Sequence, residues 1–98
     1  MTSISATALS GLDAARTRVA VSANNVANVA TEGFTAQRVE LSTRQGGGVT
    51  GSIRDTGQGV SLVAEAVEQR AAVYAFKAGV AVVKADNAMI GSLFDRRA

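Results

Sequence analysis

The run Leu62 to Phe94, LVAEAVEQRAAVYAFKAGVAVVKADNAMIGSLF, decides the fold. Leu62, Ala66, Gln69, Val73, Phe76, Val80, Val83, Asn87, Ile90 and Phe94 recur at alternating spacings of four and three without a break. That repeat predicts a long helix, and its period of 3.5 predicts a left-handed packing seam against another helix. Two seam positions, Gln69 and Asn87, are polar. They either set the register of a buried seam or mark where the seam meets water. A second stripe runs through Val67, Ala71, Tyr74, Ala78, Ala81 and Ala85. A helix with two apolar faces needs more neighbours than one partner helix supplies, which points to oligomerisation.

The partner within the chain lies at the other end. Ala8, Leu12, Ala15, Val19, Ser22 and Val26 form a second seam of small apolar residues, with Arg16 and Arg18 off it. Ser3 or Ser5 supplies the N-cap, since a hydroxyl accepts from an orphan N–H. The helix is expected to stop in the run Asn24, Asn25 and Asn28. Asn competes for backbone hydrogen bonds and tolerates the left-handed conformation. Gly33 offers a positive-φ position after it, and Phe34 folds back as an apolar anchor.

Between the helices, Val39 and Leu41 alternate with polar residues, and Val49 and Ile53 flank Gly51 in the same parity. Gly46-Gly47-Gly48 between them reads as a hairpin loop. An isolated two-stranded hairpin is marginal in water, so this segment is either a hairpin or an arm that orders when something packs on it. The expected organisation is a single domain: residues 1–30 the first helix, 31–59 a turn and Gly-rich hairpin or arm, and 60–98 the second helix.

Composition excludes several chemistries. The 98 residues hold no Cys, His, Trp or Pro, which removes thiol nucleophiles, imidazole bases, zinc sites and disulfides. Hydrophobic residues reach 47% but aromatics only 4%, so a private core is thin and stability is expected to come partly from partners. Ten basic against eight acidic residues leave a net charge of +2, scattered rather than striped, which speaks against nucleic acid. Ala71 to Val83, broken by Lys77, is too short to span a bilayer, and no basic stretch precedes an apolar one as in a signal peptide. Residues 46–51 fit G-x-G-x-x-G, but the residues after them read as strand and turn where a phosphate loop needs a helix N-terminus. Glu65 and Glu68 with Arg70 are the nearest approach to an acid–base set, and their spacing reads as a solvated helix face. The Asn run carries no charge to hold a hard cation. Arg96 and Arg97 complement a helix dipole. No catalytic, metal or cofactor residues are expected.

The stretch Ala8-Leu9-Ser10-Gly11-Leu12-Asp13-Ala14-Ala15, then Arg18, Ala23-Asn24-Asn25-Val26-Ala27-Asn28 and Thr31-Glu32-Gly33-Phe34 closely resembles the N-terminal signature of the bacterial flagellar axial proteins, the rod, hook and hook-associated proteins. The resemblance covers residues 6 to 34. Phe76, Val82, Val83, Asn87, Met89 and Leu93 are similar to that family's C-terminal pattern, with Gly79 where the family usually has Asn and Phe76 where it often has Tyr.

What the resemblance implies is a mainly α protein, its N- and C-terminal helices pairing as an antiparallel coiled coil around a short central hairpin or arm. It further implies a minimal rod-type subunit that polymerises into the tubular basal-body rod across the periplasm. Such a subunit would be exported by the flagellar type III apparatus without a cleaved signal peptide. Its partners would be copies of itself and other rod or hook subunits, with no nucleic acid, and it would not be an integral membrane protein. A non-polymerising helical adaptor or chaperone-like module of flagellar assembly is the alternative. On this reading Leu12, Ala15, Val19, Val26, Val73, Phe76, Val80, Val83, Asn87 and Ile90 carry helix–helix contacts. Asn24, Asn25, Asn28, Thr31, Gly33 and Phe34 shape the turn.

Overall fold

The computed structural model describes residues 4–97, with side chains through Leu93. It is mainly helical: α1 (Ile4–Ala27), β1 (Gln37–Thr43), β2 (Val49–Asp55) and α2 (Leu62–Arg97). The N-cap candidate Ser3 and the side chains of Phe94, Arg96 and Arg97 lie outside the described residues. Ser5 is not a cap. It sits inside α1, and its hydroxyl donates to the Asp86 carboxylate across the helix pair.

The two strands form one antiparallel sheet in which Val39 faces Ile53, Leu41 faces Gly51 and Thr43 faces Val49. This register puts the apolar residues of both strands on one face, as their shared parity requires. The turn closes with Arg44 N–H on Gly48 O at 2.9 Å and Gly47 N–H on Arg44 O at 3.1 Å. Gly46, Gly47 and Gly48 all take positive φ, which side chains rarely allow. The hairpin is not free-standing, because α1 packs along both strands.

α1 and α2 lie side by side with their contacts in opposite order along the chain. Ser5 meets Asp86, Leu12 meets Gly79, Arg18 meets Glu68 and Ser22 meets Glu65. Ala14, Ala15, Val21, Ala36 and Ala72 are the buried apolar residues among those described. Five such residues, four of them Ala, remove little apolar area from water. The molecule measures 64 × 25 × 14 Å between Cα extremes. A helix with side chains is about 10–12 Å across, so no further layer covers the outer helix faces.

α1 ends at Ala27, three residues before the expected boundary. The Asn residues terminate it through side-chain bonds and not through left-handed backbone, since no described non-Gly residue has positive φ. The Asn28 amide donates to Asn24 O at 2.9 Å, and the Thr31 hydroxyl donates to Asn28 Oδ1 at 3.2 Å. Thr31 N–H on Asn28 O and Phe34 N–H on Thr31 O continue the turn. Gly33 has φ 77°, as expected of the position, and Phe34 is half-buried.

Candidate functional site

The structure concentrates its specific interactions where α1, the hairpin and the start of α2 meet, with Asn25 at the centre. Asn25 is 1% exposed. Its Nδ2 donates to Gln37 O at 2.8 Å, and its Oδ1 accepts from Gln37 N–H at 2.8 Å. The side-chain amide thus pairs with one residue's backbone as a neighbouring strand would. The second Nδ2 hydrogen goes to Glu65 Oε1 at 3.1 Å. One side chain therefore ties helix, strand and helix together with both amide hydrogens used.

Glu65 is 5% exposed, so the expected solvated carboxylate face is corrected on this side of α2. Its burial is compensated by Asn25 and by its place in the first turn, where the helix dipole favours negative charge. The backbone there is fixed by Ser61: Ala64 N–H reaches Ser61 Oγ at 3.3 Å, and Glu65 N–H reaches Ser61 O at 2.9 Å. Ser22 Oγ adds a bond to Glu65 O at 3.2 Å. Glu68 is not solvated alone either. Arg18 holds it with two parallel bonds, Nε at 3.1 Å and an amino group at 2.7 Å. The Glu68 hydrogen bonds raise the Arg18 guanidinium above its ordinary range, against a smaller opposing effect of burial. Arg18 lies off the seam in sequence yet spans the helix pair, because a long side chain reaches over the flank of a close contact.

At the other end of the hairpin, Ser10 Oγ accepts Val49 N–H at 3.0 Å and donates to Thr7 O at 2.7 Å. A Cβ on Gly48 would stand 2.7 Å from Ser10 Oγ, so only glycine brings the turn this close. Asn25 and Ser10, fifteen positions apart on α1, thus hold the base and tip of the hairpin along the helix.

The face of α2 turned to α1 runs through Glu65, Glu68, Ala72, Gly79 and Asp86. This lies one position N-terminal to the apolar repeat. A Cβ on Gly79 would lie 2.7 Å from Leu12 Cδ2, so the glycine receives Leu12. Small residues admit the closest approach and so draw the contact toward Ala72 and Gly79, leaving larger side chains on the flanks. Of the residues expected in helix contacts, Ala15 is buried, and Leu12, Val19, Val80 and Val83 are half-buried. Val26, Val73, Phe76, Asn87 and Ile90 are exposed in the single chain. Ser10, Arg18, Glu65, Glu68 and Gly79 make contacts that the sequence reading does not give them. The 65-68-72-79-86 spacing was readable, but it carries charged and small residues that an apolar search passes over.

An open apolar trough of about 520 Å³ lies over α1, walled by α2 and the hairpin tip. Among the described residues no group of His, Cys, Asp or Glu could hold a metal ion. Residues 46–51 run from the turn into β2, with no helix N-terminus to face a phosphate. The arrangement builds surfaces for packing.

Residues 6–35 match the family model of the flagella basal body rod protein. Over this segment, about a third of the chain, the protein is similar to the flagellar rod family. The matched stretch is nearly all of α1 plus the turn to Thr35, so it includes Ser10, Leu12, Arg18 and Asn25. The match supports a flagellar rod-related role at the basal body. No curated protein matches the chain in a sequence comparison. No helix among its described residues is long and apolar enough to cross a membrane.

Proposed function

We propose that the chain is a structural subunit of the flagellar rod, polymerising through its two helices into a tubular axial structure that spans the periplasm. In the assembled state the helices pair as an antiparallel coiled coil, and the segments 1–30, 31–59 and 60–98 act as one domain. Export by the flagellar type III apparatus precedes assembly. The partners are copies of the chain and other rod subunits.

The observation that carries this reading is the rod-family match over residues 6–35. Apolar side chains left open on both helices support it. Leu9, Val63, Val67, Val73, Tyr74, Phe76 and Ile90 are all exposed. Single chains rarely leave such surfaces uncovered unless a partner takes them. Here Val73, Phe76, Asn87 and Ile90 serve contacts between copies, while Leu12, Ala15 and Val19 serve those within the pair.

Sedimentation velocity over a concentration series, alone and with rod subunits, tests the proposal. Mass-dependent association and incorporation into rods are expected. A folded chain that stays monomeric throughout and joins no rod would favour the adaptor reading. Val19→Asp places an unpaired charge beside the helix contact and is expected to abolish assembly. Normal rods and motility in that variant would remove Val19 from the interface.

A further inference from the structure

We propose, independently of the assembly reading, that the hairpin is a strap that leaves and rejoins α1 as one unit while α1 and α2 stay paired. The strands pack on α1 and not on α2. No residue of either strand is buried, so polar bonds fix the hairpin in place. Along each strand successive residues turn their backbone groups to opposite sides. Arg44 N–H on Gly48 O and Thr56 N–H on Ala36 O show that even-numbered residues bond the other strand. Odd-numbered residues therefore turn their N–H and C=O outward. Side chains of α1 occupy two of these outward positions. Asn25 takes both backbone groups of Gln37, at the base of β1. Ser10 takes the N–H of Val49, at the tip of β2. The two latches sit at opposite ends and on opposite strands, and the ladder between them couples their release.

The helix pair has its own ties. The contacts of Ser5 with Asp86, Leu12 with Gly79, Arg18 with Glu68 and Ser22 with Glu65 involve no strand residue. Lifting the hairpin breaks the latch bonds and leaves these in place, and Asn25 keeps Glu65 through its other amide hydrogen. Segments with few buried apolar contacts and solvent-exposed bonds open at low free energy, ahead of the global transition. Once lifted, the strands are an isolated two-stranded sheet, which is marginal in water, so the segment becomes an arm. Gly33 and Gly57, both at positive φ, flank it and leave each connection a residue free to change its backbone angles. Opening uncovers Val21, which shares a recess with Gln37 and Val39, and Ala14, which lies with Leu41 and Val49. Both are buried while the strap is closed. The strap thus decides whether this face of α1 is presented.

Native-state hydrogen exchange of the full chain, followed by NMR against urea, tests this. The amides of Gln37, Glu40 and Val49 report the base latch, the ladder and the tip latch. That of Ala72, fully buried in α2, reports the helix pair. The three hairpin amides are expected to share one opening equilibrium, at least about tenfold more populated than that of Ala72. Their urea dependence is expected to be shallower, because less surface is exposed on opening. Ser10→Ala removes the tip latch, and circular dichroism verifies that its helices persist. It is expected to speed exchange at Gln37 and Glu40 by one common factor of about fivefold, the worth of one net hydrogen bond. Faster exchange at Val49 alone would show independent fraying and overturn the strap. One opening equilibrium and one urea slope for all four amides also overturns it, since the hairpin then leaves only with the whole fold. Unprotected exchange at all four does the same, since no closed helix pair then exists. Association is read separately by sedimentation, so failure of the strap leaves the assembly reading standing.

Discussion

Asn25, Gly79 and Asp55 show how much rests on single atoms. Asn25→Ala removes both bonds to Gln37 and strips Glu65 of its amide donor. Each buried polar group left without a partner costs about 1–3 kcal/mol, so a loss of at least 2 kcal/mol is expected in urea unfolding. An unchanged midpoint would show that the hairpin is held by packing alone. Gly79→Ala meets two opposed effects, a helix-propensity gain of about 1 kcal/mol and a Cβ pressed on Leu12. In Gly79→Val the added methyls make the clash dominate, and a loss of about 1–3 kcal/mol is expected from overpacking; calorimetry decides it. Asp55 accepts from the Thr35 hydroxyl at 2.6 Å and from Gly57 N–H at 2.8 Å. These bonds, Thr35's first, hold its carboxyl below the ordinary range. A lowered folded pKa means stabilisation that is present above the ordinary carboxylate value and lost as pH falls through the folded one. Acid titration of the Gly57 amide by NMR should therefore show the turn loosening only below about pH 4. Loosening near neutral pH would contradict the assignment.

The elements differ in how far they stand alone. The hairpin has its register, its three-glycine turn and the Glu40–Arg54 ion pair within itself. Its apolar face nonetheless depends on α1, and a two-stranded sheet by itself is marginal. A peptide of residues 36–58 is expected to show no stable cross-strand contacts by NMR, whereas the same residues in the full chain do. A folded peptide would make Asn25 and Ser10 accessories. Both strands and the loop were legible in the alternation of Val39, Leu41, Val49 and Ile53. The docking was not, because it runs through Asn25 and Ser10, whose side chains read locally as a helix stop and a surface hydroxyl.

At the scale of the whole molecule, a slab 14 Å thick with an Ala-rich interior has little to hold it alone. Anything that binds the folded chain and not the unfolded one raises its apparent stability with concentration. The thermal midpoint of the chain is therefore expected to rise over a hundredfold increase in protein concentration. A constant midpoint would mean that the exposed apolar faces find no partner among copies.

The sequence by itself determined the two helices, the two strand segments with a glycine loop between them, the positive φ at Gly33 and the resemblance carried by residues 6–34. Each follows from local periodicity, backbone sterics or a contiguous motif. Only the tertiary structure decided which face of α2 meets α1, and that Asn25, Glu65 and the Arg18–Glu68 pair bind three elements into one body. The apolar repeat marks every surface seeking cover, while the choice among them falls to the closest approach. That approach is made at Gly79, where an absent side chain lets Leu12 in.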